Sequence, residues 1–203
     1  MRTWVLVGFV LISTGVQAET AANNLNRLLS QLSSLSATFE QLVLDGSGNR
    51  LQQVNGEMVL ARPGKFYWRT EEPFPQLLVS DGQTLWLYDQ DLEQVTRQSV
   101  DQKLSNTPAL LLSGNLDGLE ETFEVLGPVV GDSGEYRLIP TKADALFVML
   151  RLIFEAGLPV EMQLEDSLGQ KTGIHFSDIS VNLGVDDALF EFVLPAGVDL
   201  ITE

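Results

Sequence analysis

Residues 51–89 read LQQVNGEMVLARPGKFYWRTEEPFPQLLVSDGQTLWLYD, four short β-rich runs separated by turn chemistry. Residues 51–61 lead into Arg62-Pro63-Gly64, residues 65–70 lead into Glu72-Pro73-Phe74-Pro75, and residues 76–80 and 84–88 flank Asp81-Gly82. Proline fixes φ and removes a hydrogen-bond donor, while glycine reaches φ values closed to other residues, so each punctuation ends a strand. Asp-Gly between two such runs is a strong hairpin signal. The stretch is therefore expected to form an antiparallel meander.

Working outward, residues 36–44 lead into Asp45-Gly46-Ser47-Gly48-Asn49, and residues 94–99 complete the first half. The second half repeats the habit at 123–130, 136–139, 147–154, 159–166 and 170–181, with turns rich in Gly, Asp and Pro. Strands in series at intervals of about 10 residues predict one large curved sheet or barrel. The run Phe147-Val148-Met149-Leu150-Arg151-Leu152-Ile153-Phe154 is apolar on both faces except at Arg151, so both of its faces are expected to be covered, one of them by core or by the wall of a cavity.

Two segments have a different texture. Leu25, Leu28, Leu29, Leu32 and Leu35 recur at steps of three and four, which predicts an amphipathic helix over 25–35. Asn106-Thr107-Pro108 places a capping hydroxyl before a proline at the first helical position, and Ala109-Leu110-Leu111-Leu112 then forms a short helix apolar nearly all round. Such helices need an apolar surface to cover, so both are expected to lie over the open mouth or concave face of the sheet. The fold class is mainly β with a helical lid.

Arg2 followed by an uncharged run and then Val16-Gln17-Ala18 reads as an export signal, with cleavage after Ala18 and a mature domain over 19–203. The run falls short of the ~18–20 residues of a membrane-spanning helix. Without Arg2, the 12 basic residues lose one against 28 acidic ones, leaving a net charge of −17. Nucleic acid is excluded as a partner, because a phosphate backbone is bound by clustered Lys and Arg. There is no cysteine, so neither a disulfide nor a lipid anchor on an N-terminal cysteine is available.

Catalytic constellations are absent. Gly131-Asp132-Ser133-Gly134 resembles the segment around the nucleophile of trypsin-like proteases, but the only histidine, His175, lies downstream, and Glu135 replaces the next glycine of that motif. A tight turn is the better reading. One histidine cannot supply a second imidazole to zinc, and Asp89-Gln90-Asp91 lacks the glycine and distal glutamate of a calcium loop. No metal, cofactor or nucleotide site is expected, and the protein is read as a binding protein and not an enzyme.

Four blocks, in order and spacing, resemble the LolA family of periplasmic outer-membrane lipoprotein carriers. They are Ala61-Arg62-Pro63-Gly64-Lys65-Phe66-Tyr67-Trp68, Val79-Ser80-Asp81-Gly82-Gln83-Thr84-Leu85-Trp86-Leu87-Tyr88, Asn106-Thr107-Pro108-Ala109-Leu110-Leu111-Leu112, and Phe190-Glu191-Phe192-Val193-Leu194-Pro195-Ala196-Gly197-Val198. The resemblance implies an incomplete antiparallel β-barrel with short helices covering an apolar cavity. It implies lipoproteins, bound through their acyl chains, as cargo. It also implies two further partners: an inner-membrane ATP-driven release complex and an outer-membrane receptor. The family's lid arginine falls on Arg62, which would hydrogen-bond lid carbonyls in the closed, empty state.

Leu28, Leu32, Leu110, Leu111 and Leu112 are expected to form the lid underside, and Phe66, Trp68 and Trp86 to lie close to the cavity or its lid. Two departures from the family are Ala109, where a bulky residue is usual, and an end soon after Val198. The protein is expected to act as a monomer. A lipid-sensing regulator or general lipid binder of the same fold is the alternative.

Overall fold

The structure is a computed structural model and describes residues 19–100, 112–113, 119–142, 145 and 147–202. Helix α1 (Ala21–Ser30) leads into six strands, β1 (Ser34–Leu44), β2 (Arg50–Ala61), β3 (Lys65–Thr70), β4 (Gln76–Asp81), β5 (Thr84–Asp89) and β6 (Gln94–Ser99). After the one-turn helix α2 (Leu119–Thr122) come β7 (Phe123–Leu126), β8 (Gly134–Pro140), β9 (Phe147–Glu155), β10 (Leu158–Asp166), β11 (Lys171–Val181) and β12 (Asp199–Thr202).

All twelve strands form one sheet, in the order β12-β6-β5-β4-β3-β2-β1-β11-β10-β9-β8-β7. Each half is a meander, as the turn chemistry predicts. The halves are joined by the antiparallel pairing of β1 with β11, from Leu35 opposite Val181 to Leu44 opposite Lys171. The two edge strands do not meet, so the sheet is an open, incomplete barrel.

Alternation along the strands gives the sheet one apolar face. The buried apolar side chains are Leu35, Ala37, Phe39 and Val43 on β1, Val54, Met58 and Leu60 on β2, and Phe66 and Trp68 on β3. From the other half, Leu138, Leu150, Leu152, Met162 and Ile174 join the same cluster, and α1 covers it.

Three details differ from the sequence reading. The helix stops at Ser30, and Leu35 belongs to β1. The leucine spacing runs on only because Leu35 begins the strand alternation Leu35, Ala37, Phe39, while Asn182 accepts from both the backbone N–H and the hydroxyl of Ser33 and holds the chain extended there. On β9 only one face is fully buried. Phe147 pairs with Asp166 and Met149 with Glu165, so Val148 is bulged out and about half exposed. That extra residue turns Phe147 inward onto Phe123, with ring centroids 6.1 Å apart. Met149, Arg151 and Ile153 face outward and are partly exposed, and Arg151 donates to Gln163 at 2.9 Å and pairs with Glu135. Third, residues 199–202, to which the sequence reading assigned no element, form β12, a parallel edge strand against β6.

Candidate functional site

The site is the concave apolar face and what closes it. Phe39 on β1 stacks on Trp68 of β3 at 3.7 Å between centroids, and Phe66 lies 6.0 Å from Trp68 on the same side. The pair on β1 and β3 can approach because β2 between them carries Gly56. A Cβ there would fall 2.4 Å from Phe39 Cζ and 2.1 Å from the Arg69 carbonyl oxygen. Phe66 is fully buried and Trp68 nearly so.

Over this face lies α1, whose helix starts where the Thr20 hydroxyl accepts from the Asn23 N–H at 3.1 Å. Leu25, Leu28 and Leu29 are wholly buried beneath it, and Leu32, just past its end, is 3% exposed. Burying each such side chain contributes ~1.5–3 kcal/mol, so α1 is held mainly by its contact with the concave face. Leu112 is equally buried in the same cluster. Leu110 and Leu111, and the helix expected at 109–112, lie outside the described residues apart from Leu112 itself.

Arg62 joins the chain just past α1 to Leu112. It opens the turn after β2, where its own N–H donates to the Ser33 carbonyl at 2.9 Å. Its Nε donates to the Leu32 carbonyl at 2.9 Å and one terminal nitrogen donates to the Leu112 carbonyl at 2.5 Å. Next to it, Gly64 N–H donates to the Ser113 carbonyl at 2.8 Å, and the Ser80 hydroxyl holds the Gly64 carbonyl at 2.9 Å. Burial pulls the guanidinium below its ordinary pKa, yet an arginine stays charged at neutral pH, so both bonds are charge-assisted.

Trp86 is elsewhere. Leu85 and Leu87 point inward, so Trp86 faces out, with Tyr67, Val79 and Tyr88. It is stacked on Phe192 at 6.1 Å, and Tyr88 meets the same ring edge-on at 6.3 Å. The chain passes over the outside of β3 and β4 through the 3-10 turn Asp187–Phe190, held by Lys65 Nζ to Asp187 at 2.6 Å. The β5 run is apolar on both faces because the outer one is covered by this C-terminal strap. A consequence is testable. Apart from Trp4 near the N-terminus, the chain has only Trp68 and Trp86. An acyl ligand should shift the emission of a Trp86→Phe protein and leave that of a Trp68→Phe protein unchanged; the reverse pattern would put the ligand on the outer face.

Residues that the sequence reading passed over complete the enclosure. Asn24, fully buried on α1, donates to Tyr136 Oη at 2.6 Å and to the Pro128 carbonyl at 3.2 Å, and Arg27 spans from the Asn24 side-chain oxygen to the Gly131 carbonyl at 2.6 Å. The available signal was an asparagine on the leucine-bearing face of an amphipathic helix.

Ser133 and His175 do not form a pair. Ser133 sits in the β7–β8 turn and accepts from the Ala156 N–H at 2.9 Å. His175 lies on β11 opposite Glu40 and Glu161. The row Glu135, Ile153, Glu161, His175 spans three strand spacings, roughly 14 Å.

With this geometry in place, comparison with known proteins is decisive. The family model described as "Outer membrane lipoprotein carrier protein LolA" matches residues 30–193. The chain belongs to the LolA family. An outer-membrane lipoprotein carrier protein of Azotobacter vinelandii is 49% identical over 185 residues, covering 91% of this chain and 89% of that one. One from Pseudomonas aeruginosa is 46% identical over 183 residues, covering 90% and 88%. Among solved structures, a LolA superfamily protein from Nitrosomonas europaea shares the fold, with a TM-score of 0.53 and 13% identity over 88% of this chain and 99% of that one. In LolA terms, the open sheet is the incomplete barrel, and α1 lies over its concave face.

Proposed function

We propose that the chain is a periplasmic carrier that shelters the acyl chains of lipoproteins on the concave face, taking them from an ATP-driven release complex of the inner membrane and passing them to a receptor anchored in the outer membrane. The single observation that carries this reading is the apolar face shared by both halves of the sheet and covered by two segments tied together through Arg62. Each methylene removed from water contributes ~0.8 kcal/mol, so one long acyl chain represents on the order of 10 kcal/mol gross. A carrier using all of that could not release its cargo. Here part of it goes into parting the lid, whose leucines occupy the apolar face when no cargo is present.

The chain is expected to start at Glu19 after export and to act as a monomer without catalytic activity. Mass spectrometry of material co-purifying with the mature protein from a periplasmic extract tests the function. Triacylated proteins are the expected finding, whereas free phospholipid alone would point to a general lipid binder. A lid role for the segment around Leu112 predicts that Leu111→Asp weakens binding of an environment-sensitive apolar probe; undiminished binding would remove that segment from the lid.

A further inference from the structure

Leu60, Phe66, Ser80, Leu85 and Gln98 are successive cross-strand neighbours on β2, β3, β4, β5 and β6. Residues directly opposite in an antiparallel pair share a face. Leu60, Phe66 and Leu85 are wholly buried in the concave apolar cluster, and Val100, two residues past Gln98, belongs to it as well. Gln98 therefore points to the concave face. It is also the last residue of its row, because β12 pairs with β6 only from Gln94 to Arg97. At that edge lies an open hollow of about 570 Å³, lined in part by Gln98, Ser99 and Thr202.

Two polar side chains interrupt the row, and they differ in what they bond. The Ser80 hydroxyl donates to the Gly64 carbonyl at 2.9 Å and accepts from the Gly82 N–H at 3.1 Å. Gln98 as a residue is partly exposed, yet its side-chain Oε1 is enclosed and has no hydrogen-bond partner. Among the described residues, the other enclosed side-chain polar atom without a partner is Arg151 Nε. That atom lies on the outer face, in a guanidinium already held by Gln163 and Glu135. An enclosed acceptor left unpaired destabilises a fold, so Gln98 calls for a reason other than stability. It stands where the concave apolar face meets the open edge of the sheet.

We infer that Gln98 recognises the linkage of the cargo: its Oε1 accepts a hydrogen bond from the amide N–H that joins an acyl chain to the N-terminal cysteine of a lipoprotein. This rests on the carrier reading above and names a specificity residue of the same site. A triacylated cysteine offers few donors at the level where its chains enter an apolar face. Two chains are ester-linked through a glyceryl thioether, and esters and thioethers only accept. The third is amide-linked, and its N–H is the donor next to the first acyl carbon. The diacylglyceryl part of a phospholipid has the esters and lacks that amide. Acyl chains alone cannot distinguish the two classes, whereas an enclosed acceptor rejects a ligand that leaves it unpaired.

The test compares a synthetic triacylated peptide with a matched ligand in which that amide N–H is replaced by an ester oxygen. Affinities are read by displacement of an environment-sensitive apolar probe from the parent and from Gln98→Met, which keeps the side chain's length and removes its amide. The parent is expected to prefer the amide ligand about tenfold, and Gln98→Met to bind the two alike. Equal affinity of the parent for both ligands would overturn the inference, as would a preference that survives in Gln98→Met. Failure of both ligands to displace the probe from the parent refutes the carrier reading itself, and is recognised before any preference is compared.

Thermal unfolding of the empty proteins gives a second readout that needs no ligand. A glutamine that serves the fold lowers the melting temperature when it is removed, and one retained for cargo does not. Gln98→Met is expected to melt at or above the parent, because it deletes an enclosed acceptor that bonds nothing in the empty protein. A fall of roughly 4 °C or more would show the amide already engaged in the fold and would overturn the inference.

Discussion

Replacing Arg62 by leucine is expected to leave a carrier that loads cargo and fails to deliver it. The guanidinium stabilises only the state in which Leu32 and Leu112 are drawn together, through bonds of 2.9 and 2.5 Å. A charge-assisted bond of this kind contributes ~1.5–3 kcal/mol. Losing even one from the closed, empty state favours the open state by the same amount, which raises cargo retention roughly 10- to 100-fold. Transfer to the receptor, which must end in the closed, empty state, should slow in proportion. Lysine should rescue only in part, because one ammonium cannot present the planar fork that reaches two carbonyls on different segments at once. Transfer of purified carrier–cargo complex to a soluble form of the receptor, compared for Arg62, Arg62→Leu and Arg62→Lys, reads this directly. Equal transfer by all three would remove Arg62 from the mechanism.

The largest effect on stability is expected at Gly56. Alanine is among the mildest of substitutions, yet here its Cβ would lie 2.1 Å from a backbone oxygen on β3 and 2.4 Å from the Phe39 ring that packs on Trp68. Neither neighbour is the loose end of a flexible side chain, so the β2–β3 pairing or the aromatic stack has to shift. Overpacking of this severity costs about 3 kcal/mol, and Gly56→Ala should melt roughly 6–12 °C below the parent. Gly173 provides the control, since a Cβ there meets nothing within 4 Å; Gly173→Ala should melt close to the parent. Identical thermal unfolding of the parent and Gly56→Ala would show that the stack does not depend on the missing side chain.

Most of the strands were legible because their ends are chemical. Arg62-Pro63-Gly64 and Asp81-Gly82 stop a strand wherever they occur, and β3 and β6 fall on the expected 65–70 and 94–99. What a strand faces is not written locally. In Leu85-Trp86-Leu87-Tyr88 every residue is apolar, so alternation cannot say which pair is inside. The outward pair is covered by Phe192, more than a hundred residues away. The bulge at Val148 has the same character: the apolar run looks like a strand buried on both faces, and only the register against β10 shows that one valine is spilled outward.

Only resemblance singles out Arg62, because an arginine before a proline at a strand end is ordinary on residue chemistry alone. Its acceptors are backbone carbonyls, which every residue has and no sequence pattern marks. The pairing of β1 with β11 and the Asn24–Tyr136 contact are likewise long-range, and a polar residue on an apolar helix face was the one local trace of the latter.

The most direct test of the account asks which face of the sheet the acyl chains touch. A triacylated peptide carrying a photoreactive group near the end of one acyl chain is loaded, irradiated and its adducts mapped by mass spectrometry. Adducts are expected on concave-face residues such as Phe39, Met58, Trp68 and Leu150, which belong to one buried cluster. Adducts confined to outward-facing residues such as Tyr67, Trp86 and Ile153 would contradict a carrier that shelters its cargo beneath the lid.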